Sequence, residues 1–127
     1  MGKAALVEQD IEEGRRLVDL LVQSGGKVPV ALWRYDSTHG DWRLVLAVPQ
    51  MARSPQEAYN FLRNVLKGMR PPVHLSLSDI TLISPNGELV KALQREKNSA
   101  RALRDRFLSG TRIGDAYFEG VYLYKVA

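Results

Sequence analysis

Between Ala4 and Gln23 the apolar positions Val7, Ile11, Val18, Leu21 and Val22 recur at three- and four-residue steps, which predicts an amphipathic helix. Acidic residues gather near its start, where they favour the helix dipole, and Glu12 and Arg16 are spaced to pair on its exposed side. Ser24-Gly25-Gly26 ends the segment, because glycine accepts the left-handed conformation that follows a helix. The period then changes. Val28 to Tyr35 and Trp42 to Val48 are rich in β-branched, aromatic and aliphatic residues, and Asp36 to Asp41 between them is turn chemistry, so the pair predicts a β-hairpin. If Tyr35 faces Trp42, then Trp33 and Leu44 share that face, while Val30, Leu32, Val45 and Ala47 share the other. Apolar residues on both faces imply a hairpin covered on both sides, or open to a partner on one.

Ser54-Pro55-Gln56-Glu57 fits a capping box with proline at the first helical position. Ala58, Phe61, Leu62, Val65 and Met69 form the stripe of the helix that follows, and Gly68 and then Pro71-Pro72 stop it. Val73 to Ser84 reads as a strand with a kink at Ser78-Asp79. Ser84-Pro85 opens a further helix that buries Leu89, Val90 and Leu93. Leu103 and Phe107 would continue its stripe, but Glu96 would then fall inside it, so a break is expected near Asn98-Ser99, with Gly110 closing the region. Residues 111–126 are strand-like, with Gly114 and Gly120 as candidate positions for a bulge, a bend or a tight turn. The order is α-β-β-α-β-α-β, with room for a divided last strand. The expectation is one α+β domain over residues 1–127, built on a four- or five-stranded mixed or mainly antiparallel sheet packed by about three helices.

Composition narrows the class. A chain of 127 residues suits one domain, and its 45% hydrophobic and 25% charged residues exclude a wholly disordered chain. No apolar run approaches the roughly 20 residues that span a bilayer. Acidic residues from Glu8 onward leave no secretory-type apolar stretch near Met1. The absence of cysteine excludes disulfides, thiolate catalysis and Cys-ligated metals, and a cytoplasmic location is the expectation. The net charge of +4 is unevenly spread. Glu8, Asp10, Glu12, Glu13 and Asp19 make residues 8–19 acidic, whereas Lys91, Arg95, Lys97, Arg101, Arg104 and Arg106 make residues 91–106 basic. A basic stretch attracts nucleic acid or an acidic partner, or serves as a solvated helix face.

Catalytic patterns are thin. His39 sits in the hairpin turn beside Asp36 and Asp41, a set able to hold a metal, but Asp and His are also ordinary turn residues. His74 at a strand start would need a second polar group for acid–base work. Ser76, Ser78 and Asp79 lack the glycine elbow of a hydrolase nucleophile. Asp79, Glu88 and Lys91 loosely follow a nuclease core, but Glu88 and Lys91 fall at the spacing of an intrahelical pair. Neither Ser24-Gly25-Gly26 nor Gly110 to Gly120 has the spacing of a phosphate-binding loop. No catalytic residue, metal or cofactor is therefore expected.

The aromatics carry more. Trp33, Tyr35 and Trp42 cluster on the hairpin, and Tyr117, Phe118, Tyr122 and Tyr124 on the last strand region. Such residues suit a protein interface or base stacking, although the signature of the common RNA-recognition sheet is missing. The segments Ala31-Leu32-Trp33, Trp42-Arg43-Leu44-Val45, Leu77-Ser78-Asp79-Ile80 and Tyr122-Leu123-Tyr124 together resemble small uncharacterised bacterial proteins with a leading helix, a Trp-bearing hairpin and an aromatic terminal strand. The resemblance spans nearly the whole chain, implies a single bacterial domain and transfers no catalytic residue. The leading expectation is a non-enzymatic interaction or assembly domain, a homo-oligomer or the binder of a protein partner, using Trp33, Tyr35, Trp42, Tyr122 and Tyr124. The alternative is a nucleic-acid-binding module using Lys91, Arg95, Arg101 and Arg104. No membrane partner is expected.

Overall fold

A computed structural model describes residues 2–127. The hairpin forms as the alternation requires. Strands β1 (Val30–Asp36) and β2 (Asp41–Ala47) pair antiparallel, with Tyr35 opposite Trp42 and Trp33 opposite Leu44. They sit inside a five-stranded mixed sheet of order β3-β2-β1-β5-β4, completed by β3 (Ile80–Ile83), β4 (Phe107–Ile113) and β5 (Ala116–Val126). Only the β2–β3 pair is parallel. Among the described residues no helix is long and apolar enough to cross a membrane.

Both sheet faces carry helices, the first of the two arrangements that apolar residues on both hairpin faces allow. Helices α1 (Glu8–Gln23) and α2 (Pro55–Gly68) bury Ile11, Leu17, Val18, Leu21, Ala58 and Leu62 against Trp33, Leu44, Leu46, Tyr122 and Tyr124. Helices α3 (Glu88–Arg95) and α4 (Lys97–Ala102) bury Val90, Leu93 and Ala100 against Val30, Leu32, Val45, Ala47 and Leu123. Tyr122 and Tyr124 therefore share a face and Leu123 points the other way. The start of α2 follows its sequence signal, since Ser54 Oγ accepts from the Glu57 amide at 3.3 Å and Pro55 opens the first turn.

Several expectations need correction. Helix α1 starts at Glu8, which leaves Val7 ahead of it at 52% exposure; Val22 lies within the helix but faces outward at 39% exposure, and Leu17 takes a core position. Arg16 donates to the Pro71 carbonyl rather than pairing with Glu12. The strand expected over Val73 to Ser84 shrinks to Ile80–Ile83. Asp79 accepts from the Ser76 amide at 3.0 Å and folds Leu77–Asp79 into a 3₁₀ turn. The break between α3 and α4 falls at Glu96 (φ −113°, ψ 32°), ahead of Asn98-Ser99. Phe107 belongs to no helix stripe and opens β4 beside Tyr122. Gly110 (φ 56°) lies within β4 rather than closing a helical region, and Gly114 (φ 59°) makes the β4–β5 turn.

The N-terminal segment completes the sheet margin. Lys3 pairs with Trp42 on the stretch of β2 that β3 does not reach. Its Nζ lies 3.5 Å from Asp10 Oδ1 and 3.8 Å from Asp79 Oδ2, both on buried carboxylates. Removing the cation leaves two carboxylates without their shared counter-charge. Lys3→Met is expected to lose about 2 kcal/mol, less than a fully buried pair because Lys3 is partly solvated. Urea unfolding of the variant at neutral pH reads this directly.

Candidate functional site

The helices leave the β1–β2 turn end of the sheet uncovered, and two concavities lie there on opposite faces. On the α1–α2 face, Tyr35 and Trp42 meet at 5.6 Å between ring centroids, and Trp42 and Phe107 at 6.2 Å in an edge-to-face arrangement. The series continues inward through Tyr122 and Tyr124, at 5.2 and 5.5 Å. Such tilted contacts match the ring quadrupoles. Phe107 projects at 52% exposure. It forms one side of a recess of about 360 Å³ that is also lined by Tyr35, Trp42, Leu108, Ser109, Glu119 and Gly120. Only glycine fits at position 120, where a Cβ would stand 2.8 Å from the Trp42 ring.

The five aromatics expected at an interface are thus divided. Trp33, Tyr122 and Tyr124 are buried, because α1 packs over them, and are not open to a partner; Tyr35 and Trp42 are half-buried and reach the surface. Trp33 Nε1 donates to the Tyr124 hydroxyl at 2.8 Å, and that hydroxyl donates to the Ile11 carbonyl. Burial pushes the Tyr124 hydroxyl well above the ordinary tyrosine value, so it stays a neutral donor. Phe107 stands outside the expected site set, because its spacing from Leu103 imitates a helical stripe.

On the α3–α4 face a groove of about 490 Å³ is lined by Arg34, Arg43, Val45, Thr81, Ile83 and Leu89, with Asp36 and Glu119 toward the hairpin turn. Arg34 and Arg43 are register partners across β1–β2. Arg34 donates to the Tyr117 carbonyl at 3.1 Å and lies over the Phe118 ring at 5.0 Å, and Arg43 Nε stands 3.5 Å from Asp41 Oδ2. The same Tyr35–Trp42 register that sorts the hairpin faces also sets these arginines opposite each other, so this pair was readable from the sequence.

The basic segment lies exposed along α3, α4 and the turn that follows them. Arg101 Nε donates to the Val126 carbonyl at 2.9 Å, Arg104 Nε donates to the Arg101 carbonyl at 3.2 Å, and Arg95 stands 3.5 Å from Asp115. Lys91 is exposed on α3. The nuclease-like set does not form. Asp79 is buried against Ser76 and Lys3, whereas Glu88 and Lys91 face solvent on α3. His39 contacts Asp36 at 2.6 Å within the hairpin turn, which holds the Asp36 carboxyl below its ordinary value.

His74 caps Glu13, with its amide 2.9 Å from Oε1 and Nδ1 3.1 Å from Oε2. Among the described residues no group of three His, Cys, Asp or Glu side chains is placed to hold a metal. Burial raises the Glu13 carboxyl, but the His74 contacts outweigh it and hold the group below its ordinary value. A carboxylate with a depressed folded pKa stabilises above its unfolded value, near pH 4.3, and that contribution is lost as pH falls through the folded value. Glu13→Gln is therefore expected to be less stable than the parent near pH 6, by about 1–2 kcal/mol, with the gap closing below about pH 4. Urea midpoints across this range test the sign. Comparison of the chain with protein-family models, with curated proteins and with solved structures gives no match, so the functional reading rests on the geometry of the hairpin end.

Proposed function

We propose that this chain is a non-enzymatic assembly domain that associates with a second copy of itself through the aromatic shelf at the hairpin end. One observation carries the reading: Phe107 projects at the side of a recess that it lines together with the rings of Tyr35 and Trp42, with Ser109 and Glu119 also on its lining. A patch that holds both a knob and a hollow is self-complementary under a twofold axis, since each Phe107 meets the other copy's recess. Large aromatic anchors in a central dry patch supply most of the energy of such contacts. The outer edge of β4 does not provide the join. Gly110 interrupts it and Arg106 and Arg112 charge it, both devices that keep edge strands from pairing. The shelf is small, so the association is weak, with Kd on the order of 10⁻⁵ to 10⁻³ M. The proposal takes the protein to act in the cytoplasm, in keeping with a cysteine-free sequence.

The alternative, nucleic-acid binding through the exposed Lys91, Arg95, Arg101 and Arg104, rests on charge alone, and no aromatic side chain stands among residues 91–106 to stack a base. Tryptophan fluorescence tests the self-association reading. Trp33 is fully buried and Trp42 half-buried, so only Trp42 loses water when copies meet. Emission is expected to shift to the blue as concentration rises from about 1 µM to about 1 mM, and Phe107→Glu is expected to remove the shift. A parent spectrum unchanged by concentration, or a shift that survives Phe107→Glu, overturns the reading.

A further inference from the structure

We propose that the groove on the α3–α4 face binds a small organic phosphate monoester, held between Arg34 and Arg43. Arg34 and Arg43 start from opposite positions on neighbouring strands and lean apart, Arg34 to the Tyr117 carbonyl and Arg43 to Asp41 and the Ser78 carbonyl, so an anion entering the open groove between them meets one cation on each side. The carboxylates at the hairpin end are already engaged: Asp36 by His39 and the Thr38 amide at 2.9 Å, and Glu119 by the Ser37 amide at 3.2 Å. Arg34 and Arg43 keep more donors than their contacts with Tyr117, Asp41 and Ser78 use, since each guanidinium carries five.

The number of donors decides the class of ligand. A phosphate monoester is a dianion near neutral pH, and its three free oxygens can serve both forks at once. A monocarboxylate offers two oxygens and a single charge. Thr81 adds a hydroxyl to the floor, and Val45, Ile83 and Leu89 give an apolar wall for the ester's organic part. The volume, about 490 Å³, lies within the range of small-molecule sites.

The test uses ¹H–¹⁵N NMR of the whole chain at low ionic strength, with inorganic phosphate, phenyl phosphate and benzoate as probes. Phenyl phosphate is expected to give saturable shifts at Arg34, Arg43 and Thr81, tighter than inorganic phosphate and at least severalfold tighter than benzoate. Arg34→Gln and Arg43→Gln are each expected to weaken it by about tenfold or more. Arg43→Lys keeps the charge but loses the fork, and is expected to fall between parent and Gln variant. Thr81→Val, which changes only a hydroxyl, gives a second reading should an arginine variant fail to fold, with an expected severalfold loss. Phe107→Glu lies on the other face and is expected to bind as the parent does. The proposal is overturned by no shift at these residues up to about 10 mM probe, by equal shifts from sodium chloride at matched ionic strength, by benzoate binding as tightly as phenyl phosphate, or by undiminished binding in the variants.

Discussion

Trp33→Ala is expected to lower stability by about 4 kcal/mol, within the range for deleting a large buried aromatic. Trp33 is fully buried at the centre of β1, between α1 and the strand partners Leu44 and Tyr122. Its Nε1 is the donor to the Tyr124 hydroxyl, which in turn donates to the Ile11 carbonyl, so three elements are joined through one side chain. Alanine removes the ring, leaves a cavity under α1 and takes one partner from the buried phenol. Trp33→Phe keeps most of the apolar volume and loses the donor, so a smaller loss of about 2 kcal/mol is expected. A domain of this size has about 5–15 kcal/mol in hand, so the alanine variant stands near the unfolding threshold. Urea denaturation followed by far-ultraviolet circular dichroism measures both. A loss below about 1 kcal/mol for Trp33→Ala would contradict the packing described.

Gly14→Ala sets helix propensity against packing. In an exposed helix interior the change would stabilise by about 1 kcal/mol. Here Gly14 faces the core, and an added Cβ would stand 2.4 Å from the Tyr124 hydroxyl oxygen and 3.0 Å from Trp33 Nε1. Neither neighbour can yield freely, because each is fixed by the bond to the other. The expected outcome is a net loss of roughly 2–3 kcal/mol, the overpacking cost exceeding the propensity gain. A stabilised variant, with its thermal midpoint above the parent's, would show that α1 does not lie this closely on the sheet.

The hairpin was legible because its information is local. The Asp36 to Asp41 turn fixes the register, and the register sorts Trp33 and Leu44 from Val45 and Leu32 without reference to the rest of the chain. The start of α2 was legible for the same reason, since Ser54 and Glu57 complete the cap between themselves. Features that depend on distant residues were not. Phe107 sits at a helical spacing from Leu103, and only its pairing with Tyr122 makes it a strand residue. The turn at Asp79 takes its counter-charge from Lys3, far away in sequence. Alternation puts Trp33, Tyr35 and Trp42 on one face of the hairpin, and Tyr122 and Tyr124 on one face of the last strand; that the two sets lie on the same face of the sheet follows only from the β1–β5 pairing. Which of them α1 covers is decided by where Gly14 lets the helix touch Tyr124, and no periodicity encodes that reach.

Sedimentation equilibrium of the unmodified protein tests the central claim of self-association most directly. The weight-average mass is expected to rise from 14.3 kDa toward twice that value with concentration, and to stay at 14.3 kDa for Phe107→Glu. A parent protein that remains a single 14.3 kDa species up to about 1 mM would contradict it.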